Sequence, residues 1–193
     1  KEASRFRGSF AGVYQDIFSE KPYNERFYPS EAAGVLQQYL QMPDNITLLA
    51  LKGRSKVVGF GIGCPAATKA DISKELRGLL PVEHTYYLAE LGVLASARGN
   101  GLGRQLTQIR LDLIDPLRYS HVVLRTSAVR NASYKMYMSM GFDDMGVYME
   151  VPSRRNNGLV STDRRLFLHS VTNADDGAAE GQSLPSVHPD DVQ

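Results

Sequence analysis

At 193 residues the chain is long enough for one domain with a real core, and 42% hydrophobic residues exclude a disordered polymer. A formal net charge of +1 gives no electrostatic footprint for nucleic acid or an anionic membrane surface. Cys64 is the lone cysteine, so an intrachain disulfide is excluded; no apolar run approaches the about 20 residues of a membrane span and no signal peptide is visible. These features predict a cytoplasmic protein. The chain opens on Lys1 rather than Met, which leaves room for native residues upstream.

In chain order, Phe10 to Phe18 reads as a helix with Val13, Tyr14, Ile17 and Phe18 on one face. Ser30, in "PSEAAGVLQQYL", reads as the cap of a second helix, whose buried stripe is Val35, Leu36, Tyr39 and Leu40. "ITLLALK" and "KVVGFGIG", joined by Gly53-Arg54-Ser55, read as a strand hairpin, with Cys64 a small buried residue beside it. Asp71 to Leu79 is a short helix ended by Pro81. "TYYLAELGVL" is almost continuously apolar, which predicts a central strand. Gly101 to about Leu113 is a helix with Leu102, Leu106, Ile109 and Leu113 as its apolar face. "HVVLRTS" is a strand, and Ala132 to Met140 a helix that Gly141 terminates. "MGVYMEV" and "RRLFLHS" form a hairpin around Asn156-Asn157-Gly158. Strands interleaved with helices predict an α/β fold, a mixed sheet flanked by helices in a single domain over residues 1–170. Residues 171–193 are rich in Asp, Gly, Ala, Ser and Pro, which predicts a flexible tail.

The stretch "LGVLASARGNGLGRQL", Leu91 to Leu106, places three alternating glycines between Arg98 and Arg104 at the mouth of a helix. Glycine lets a ligand approach the main chain, and a helix start offers unpaired amides with about half a positive charge. Together they make an anion site suited to phosphate; the alternative is a glycine-rich turn linking strand to helix. The spacing is neither a dinucleotide fingerprint nor a P-loop.

The same residues closely resemble the cofactor motif of the GNAT superfamily of N-acetyltransferases. That motif is a strand ending in L-x-V, followed by [RQ]-G-x-G-x-[GA] opening a helix. Leu91, Val93, Arg98, Gly99, Gly101 and Gly103 match it in order and spacing. "YKMYMSMGF", Tyr134 to Phe142, resembles the family's second motif, and "YQDIFSEKPYNERF" is similar to bacterial members with a Pro-Tyr-Asn element. The resemblance covers about residues 5–169. It implies the acyl-CoA N-acyltransferase fold and acetyl-CoA, or another acyl-CoA, as cofactor. The diphosphate would take the amides of Arg98, Gly99, Asn100, Gly101, Leu102, Gly103 and Arg104. Leu91, Val93 and Leu94 would lie on a strand splayed from its neighbour, Val93 donating to the thioester carbonyl, and Tyr134 and Asn131 would line the cofactor. The family's usual asparagine position holds Arg130, so Asn131 has two readings, cofactor contact and helix cap.

The implied reaction is direct attack by a primary amine of a small molecule or peptide. Glu90 is the candidate base: strand alternation puts Leu91 and Val93 on one face, and Leu88, Glu90 and Gly92 on the other. Burial would raise its pKa toward neutrality; the competing reading is a carboxylate paired with a backbone amide or a core arginine, such as Arg125 on the neighbouring strand. Tyr137, four residues before Gly141, is the candidate acid toward the leaving thiolate, with a core tyrosine as the alternative. By the same resemblance the acceptor site comprises Tyr14, Tyr23, Asn24, Glu25, Tyr28 and Tyr148, against ordinary packing. The four histidines are scattered, His84 in a loop and His188 in the tail, and no metal is expected. Analogy with the family points to a homodimer formed through "RRLFLHS". The rival to an enzyme is a non-catalytic module of the same fold that binds acyl-CoA or a partner.

Overall fold

The computed structural model describes residues 3–21 and 23–172. Helices α1 (Arg7–Ser19) and α2 (Pro29–Leu40) precede the hairpin β1 (Ile46–Lys52) and β2 (Lys56–Pro65). Then come α3 (Ala70–Leu76), β3 (Thr85–Val93), α4 (Leu102–Leu113), β4 (His121–Ser127) and α5 (Ala132–Met138), and the hairpin of β5 (Asp143–Arg154) and β6 (Val160–Val171). The six strands form one sheet in the order β1-β2-β3-β4-β6-β5. Every pairing is antiparallel except β3 with β4. The apolar run at Thr85–Val93 is therefore central, as its composition predicts.

Two apolar layers sandwich the sheet. On one face Phe10 and Tyr14 of α1 pack on Phe60 of β2, with ring centroids 4.8 and 5.7 Å apart. Leu36, Ile62, Ile72 and Phe167 complete that layer. On the other face Tyr86, Leu88, Val122, Leu124, Phe142 and Leu168 pack beneath α5. Each fully buried side chain of this size contributes about 1.5–3 kcal/mol relative to exposure.

Several local expectations change in three dimensions. Helix α2 is capped by Tyr28 rather than Ser30: Pro29 takes the first helical position, and the Glu31 carboxylate accepts the Tyr28 N–H at 2.7 Å. Helix α3 stops at Leu76, and α5 at Met138, after which Gly141 adopts a φ of +85°. On α4, Leu106 is buried but Ile109 and Leu113 are 42% and 57% exposed. The buried face is rotated about a quarter turn from the apolar stripe, toward Thr107 and Arg110. A charged residue occupies the core-facing position there, so an apolar count finds the wrong side. Strand β6 lies between β4 and β5, and its "RRLFLHS" stretch is covered on both sides, so that stretch cannot extend the sheet into a second copy. The expected tail from residue 173 onward lies outside the described residues.

Candidate active site

The site begins where two parallel strands part. Pairing of β3 with β4 runs from Thr85↔His121 to Leu88↔Leu124 and ends there. On its other side β3 carries a bulge: Tyr87 is opposite Cys64, but Glu90 is opposite Ile62. The extra residue shifts the two-residue alternation by one. Leu88 and Leu91 consequently pack into the same layer, beneath α4 and α5. Glu90 instead follows Tyr87, Ile62 and Cys64 toward α1 and α2. This corrects the simple alternation, which groups Leu88 with Glu90.

Arg110 of α4, fully buried, supports the bulge from beneath. Its Nη1 donates to the carbonyls of Ile62 at 3.0 Å and Glu90 at 3.1 Å, its Nε to the Leu106 carbonyl at 3.2 Å, and its Nη2 to Thr107 Oγ1 at 3.3 Å. Sequence reasoning missed this residue. The available signal was Gly61: a Cβ built there would lie 2.9 Å from Arg110 Nε.

A cleft of about 220 Å³ opens in the gap, lined by Tyr14, Tyr23, Glu25, Glu90, Arg125 and Tyr137 among others. Glu90 enters from the α1 side and Tyr137 from the α5 side. Burial pushes the Glu90 carboxyl up from 4.5 to about 7, against the pull of Arg125 and Lys69. Among the described residues no cation forms an ion pair with it within 4 Å, and Arg125 pairs with Asp71 instead. Burial also raises Tyr137, opposed by the Arg110 guanidinium, so its phenol stays protonated at neutral pH. Its ring packs edge-on against Phe142, with centroids 5.7 Å apart.

The remaining acceptor candidates divide. Tyr14, Tyr23 and Glu25 line the cleft, whereas Asn24, Tyr28 and Tyr148 do not. Tyr28 lies between Arg26 and Arg154, and Tyr148 beneath Arg164. Among the residues not anticipated that line the cleft are Arg165 and Thr126. Arg165 bonds Glu25 at 2.7 Å and Asp163 at 3.4 Å and covers the Tyr23 ring. Thr126 Oγ1 is buried without a hydrogen-bond partner among the described residues.

A second cleft, of about 400 Å³, adjoins the first through Tyr23, Leu91 and Ser133 and runs to the start of α4. Leu91, Val93, Arg98, Gly99, Gly101, Leu102, Gly103, Arg104 and Asn131 line it, with Lys21 as a further cation that sequence reasoning missed. Gly101, at the helix cap, has a φ of +75°, and a Cβ there would meet nothing within 4 Å. The left-handed cap thus leaves open space at the helix start, while the Arg98 N–H is already taken by the Ala95 carbonyl at 3.3 Å. Arg98 donates through Nε to the Val93 carbonyl at 2.9 Å and pairs with Glu20 at 2.7 Å, and Arg104 donates to Ser139 Oγ. Asn131 accepts the Tyr134 N–H at 3.1 Å, so it caps α5 while facing the cleft.

Leu94, Asn100 and Tyr134 line neither cleft. The Leu94 N–H is taken by the Val58 carbonyl, and the Tyr134 hydroxyl donates to Asp144 at 3.1 Å. His84 is exposed, its ring against the Arg118 carbonyl. Among the described residues no cluster of three metal-ligating side chains occurs, and no helix is long and apolar enough to cross a membrane.

A model of the acetyltransferase (GNAT) family matches residues 10–142. The chain is 38% identical over 128 residues to N-acetyltransferase 8F1 of Mus musculus, covering 66% of this chain and 53% of the mouse protein. It is 26% identical over 113 residues to N-alpha-acetyltransferase 30 of Saccharomyces cerevisiae, covering 56% of this chain and 57% of the yeast protein. It thus spans about half the length of these curated relatives. Among solved structures, ribosomal-protein-alanine N-acetyltransferase from Brucella melitensis shares the fold, with a TM-score of 0.64 at 17% identity over 87% of this chain and 95% of that one.

Proposed function

The chain belongs to the acetyltransferase (GNAT) family, and from that premise we propose that it is an enzyme moving an acetyl group from acetyl-CoA to a primary amine. One observation carries the reading. The gap that opens past Leu88 and Leu124 receives a carboxyl from one face of the sheet and a phenol from the other, beside a glycine-rich helix start.

In this reading the amides of residues 99 to 104 hold the diphosphate of acetyl-CoA, or of another acyl-CoA; the Arg98 N–H, bonded to the Ala95 carbonyl, does not join them, and Lys21, Arg98 and Arg104 supply positive charge. The orphan hydroxyl of Thr126 and the side of β3 that has lost its β4 partner beyond Leu88 suit a polar arm laid along the gap. The cofactor, when bound, supplies an activated thioester. The protein's own groups move the protons. An alkylammonium with a pKa near ~10 must lose a proton before its nitrogen attacks. Glu90, half ionised near pH 7, accepts that proton directly or through one water. Tyr137 keeps its Oη–H and donates it toward the leaving sulfur. The acceptor is a small molecule or a peptide amine, bound beside Tyr14, Tyr23 and Glu25. The buried, unpaired Cys64 thiol is consistent with a reducing cytoplasm.

Thiol release from acetyl-CoA, followed with a panel of amines, tests the proposal. The expected result is turnover with at least one amine, and a loss in kcat of about 10²- to 10⁴-fold in Tyr137→Phe while calorimetry finds CoA binding retained. Tight CoA binding with no turnover on any amine would instead make the chain a non-catalytic acyl-CoA binder.

A further inference from the structure

The two arginines of the acceptor cleft are held very differently. Arg165 meets two carboxylates, Glu25 and Asp163, so its charge is matched within the protein. Arg125 is the first residue of β4 beyond the last β3 rung, and its anchors are mostly neutral. Its Nε donates to Tyr87 Oη at 2.8 Å and its Nη1 to Met149 Sδ at 2.8 Å. The one carboxylate in reach, Asp71, is 3.5 Å away with its side chain 48% exposed. Nη2 has no acceptor among the described residues, although the side chain is only 21% exposed.

Glu90 is a carboxyl in the same cleft that forms no ion pair within 4 Å among the described residues. Arg125 exerts the largest charge effect on it, so the two are electrostatic neighbours that do not touch. Opposite charges in a partly desolvated slot attract strongly and would close on one another if free. Tyr87 and Met149 hold the guanidinium back, and the Arg110-supported bulge holds Glu90. A fixed gap between a guanidinium whose carboxylate partner is the half-exposed Asp71, 3.5 Å away, and an acid with no ion-pair partner among the described residues complements a molecule carrying both charges a few bonds apart.

We propose that the acceptor is a free amino acid or a compact molecule of that class, its amine facing Glu90 and its carboxylate taken by Arg125. This rests on the acetyltransferase reading and names its substrate class. The cleft volume of about 220 Å³ lies below the about 300–1,000 Å³ of pockets that take drug-sized ligands, which suits a compact acceptor. Thr126 Oγ1, next along β4, adds a buried hydroxyl that a polar acceptor or the acyl donor can satisfy. A polyamine would bring a second ammonium against Arg125, and a peptide amine would offer a neutral amide where the carboxylate belongs.

The test pairs free amino acids (leucine, phenylalanine, methionine and aspartate) with their α-amides. Binding to the CoA-saturated protein is measured by calorimetry, and turnover by thiol release. At least one acid should bind and react with a kcat/KM about tenfold or more above its amide, the size of one charge-assisted contact. Arg125→Gln should collapse that ratio toward unity, and Arg125→Lys should restore part of it. Amides matching or exceeding their acids in the wild type would overturn the proposal. So would an acid preference that survives in folded Arg125→Gln. If that variant does not fold, the wild-type comparison decides alone. Carboxylate-dependent binding without turnover would uphold the binding mode while the enzymatic reading fails. Absence of both binding and turnover for every free amino acid would overturn the binding mode.

Discussion

Arg110 donates a hydrogen bond to the main-chain carbonyl of Glu90, 3.1 Å away, from a helix on the opposite face of the sheet to the Glu90 side chain. The bulge makes this contact necessary. Where β3 departs from regular pairing, the carbonyls of Ile62 and Glu90 are both met by Nη1 of the buried guanidinium. Arg110→Met fills similar space but leaves both oxygens without that donor. The expected cost is about 1–3 kcal/mol per carbonyl left dry, read from urea denaturation. Turnover should fall as well, because the main chain carrying the candidate base loses its support.

Gly61→Ala approaches the same contact from the strand side. The added methyl would sit 2.9 Å from Nε, 3.2 Å from Cδ and 3.3 Å from Cζ of an arginine held by four hydrogen bonds. Overpacking of this kind costs about 1–3 kcal/mol. The two substitutions should not add: in Gly61→Ala/Arg110→Met a flexible thioether faces the methyl, so the double variant should be more stable than the sum of its parts implies. Strict additivity would mean that the two residues do not meet as described.

The raised pKa of Glu90 makes two linked predictions. If Glu90 is the base, kcat/KM should rise about tenfold per pH unit below about 7 and level off above it, and Glu90→Gln should lose that limb along with about 10²- to 10⁴-fold of rate. Stability should run the other way. The folded state holds this proton more tightly than the unfolded chain, so the stabilisation is fully present below about pH 4.5 and is lost as pH rises through about 7. The full effect is on the order of 3 kcal/mol. Glu90→Gln, which never ionises, should therefore gain stability over the wild type between pH 5 and pH 8, measured by denaturant midpoints at each pH.

Much of this arrangement could be read along the chain, and the exceptions share physical causes. The apolar run before Glu90 locates the central strand because only a strand covered on both faces tolerates such composition. Alternating glycines before Leu102 mark the helix start because two of them need φ near +80°. The bulge leaves no such mark: its effect is a one-residue phase shift, and any alternation counted through it puts Leu88 on the wrong face. Arg110 was hidden because a pattern search assigns every guanidinium to solvent, although its partners here are main-chain carbonyls that carry no residue identity. Arg165 reaches the cleft from the last hairpin and Lys21 from the end of α1, so only the folded chain brings them to the site.

The pairing of Arg98 with Glu20 makes the last prediction. Arg98 lines the cleft at the start of α4, yet a carboxylate from just beyond α1 sits 2.7 Å from its Nη1. A diphosphate arriving at these amides must either share the guanidinium with Glu20 or displace it. Both side chains are substantially exposed, so the pair itself is weak and screened by salt. Glu20→Gln removes the competing charge and keeps the shape. CoA should then bind up to about fivefold more tightly at low ionic strength, the gain shrinking as salt is raised. Dephosphorylated pantetheine, which lacks the diphosphate, should show no such gain. Calorimetry with both ligands at two salt concentrations separates this electrostatic competition from a structural role for Glu20, since a structural role would weaken both ligands together.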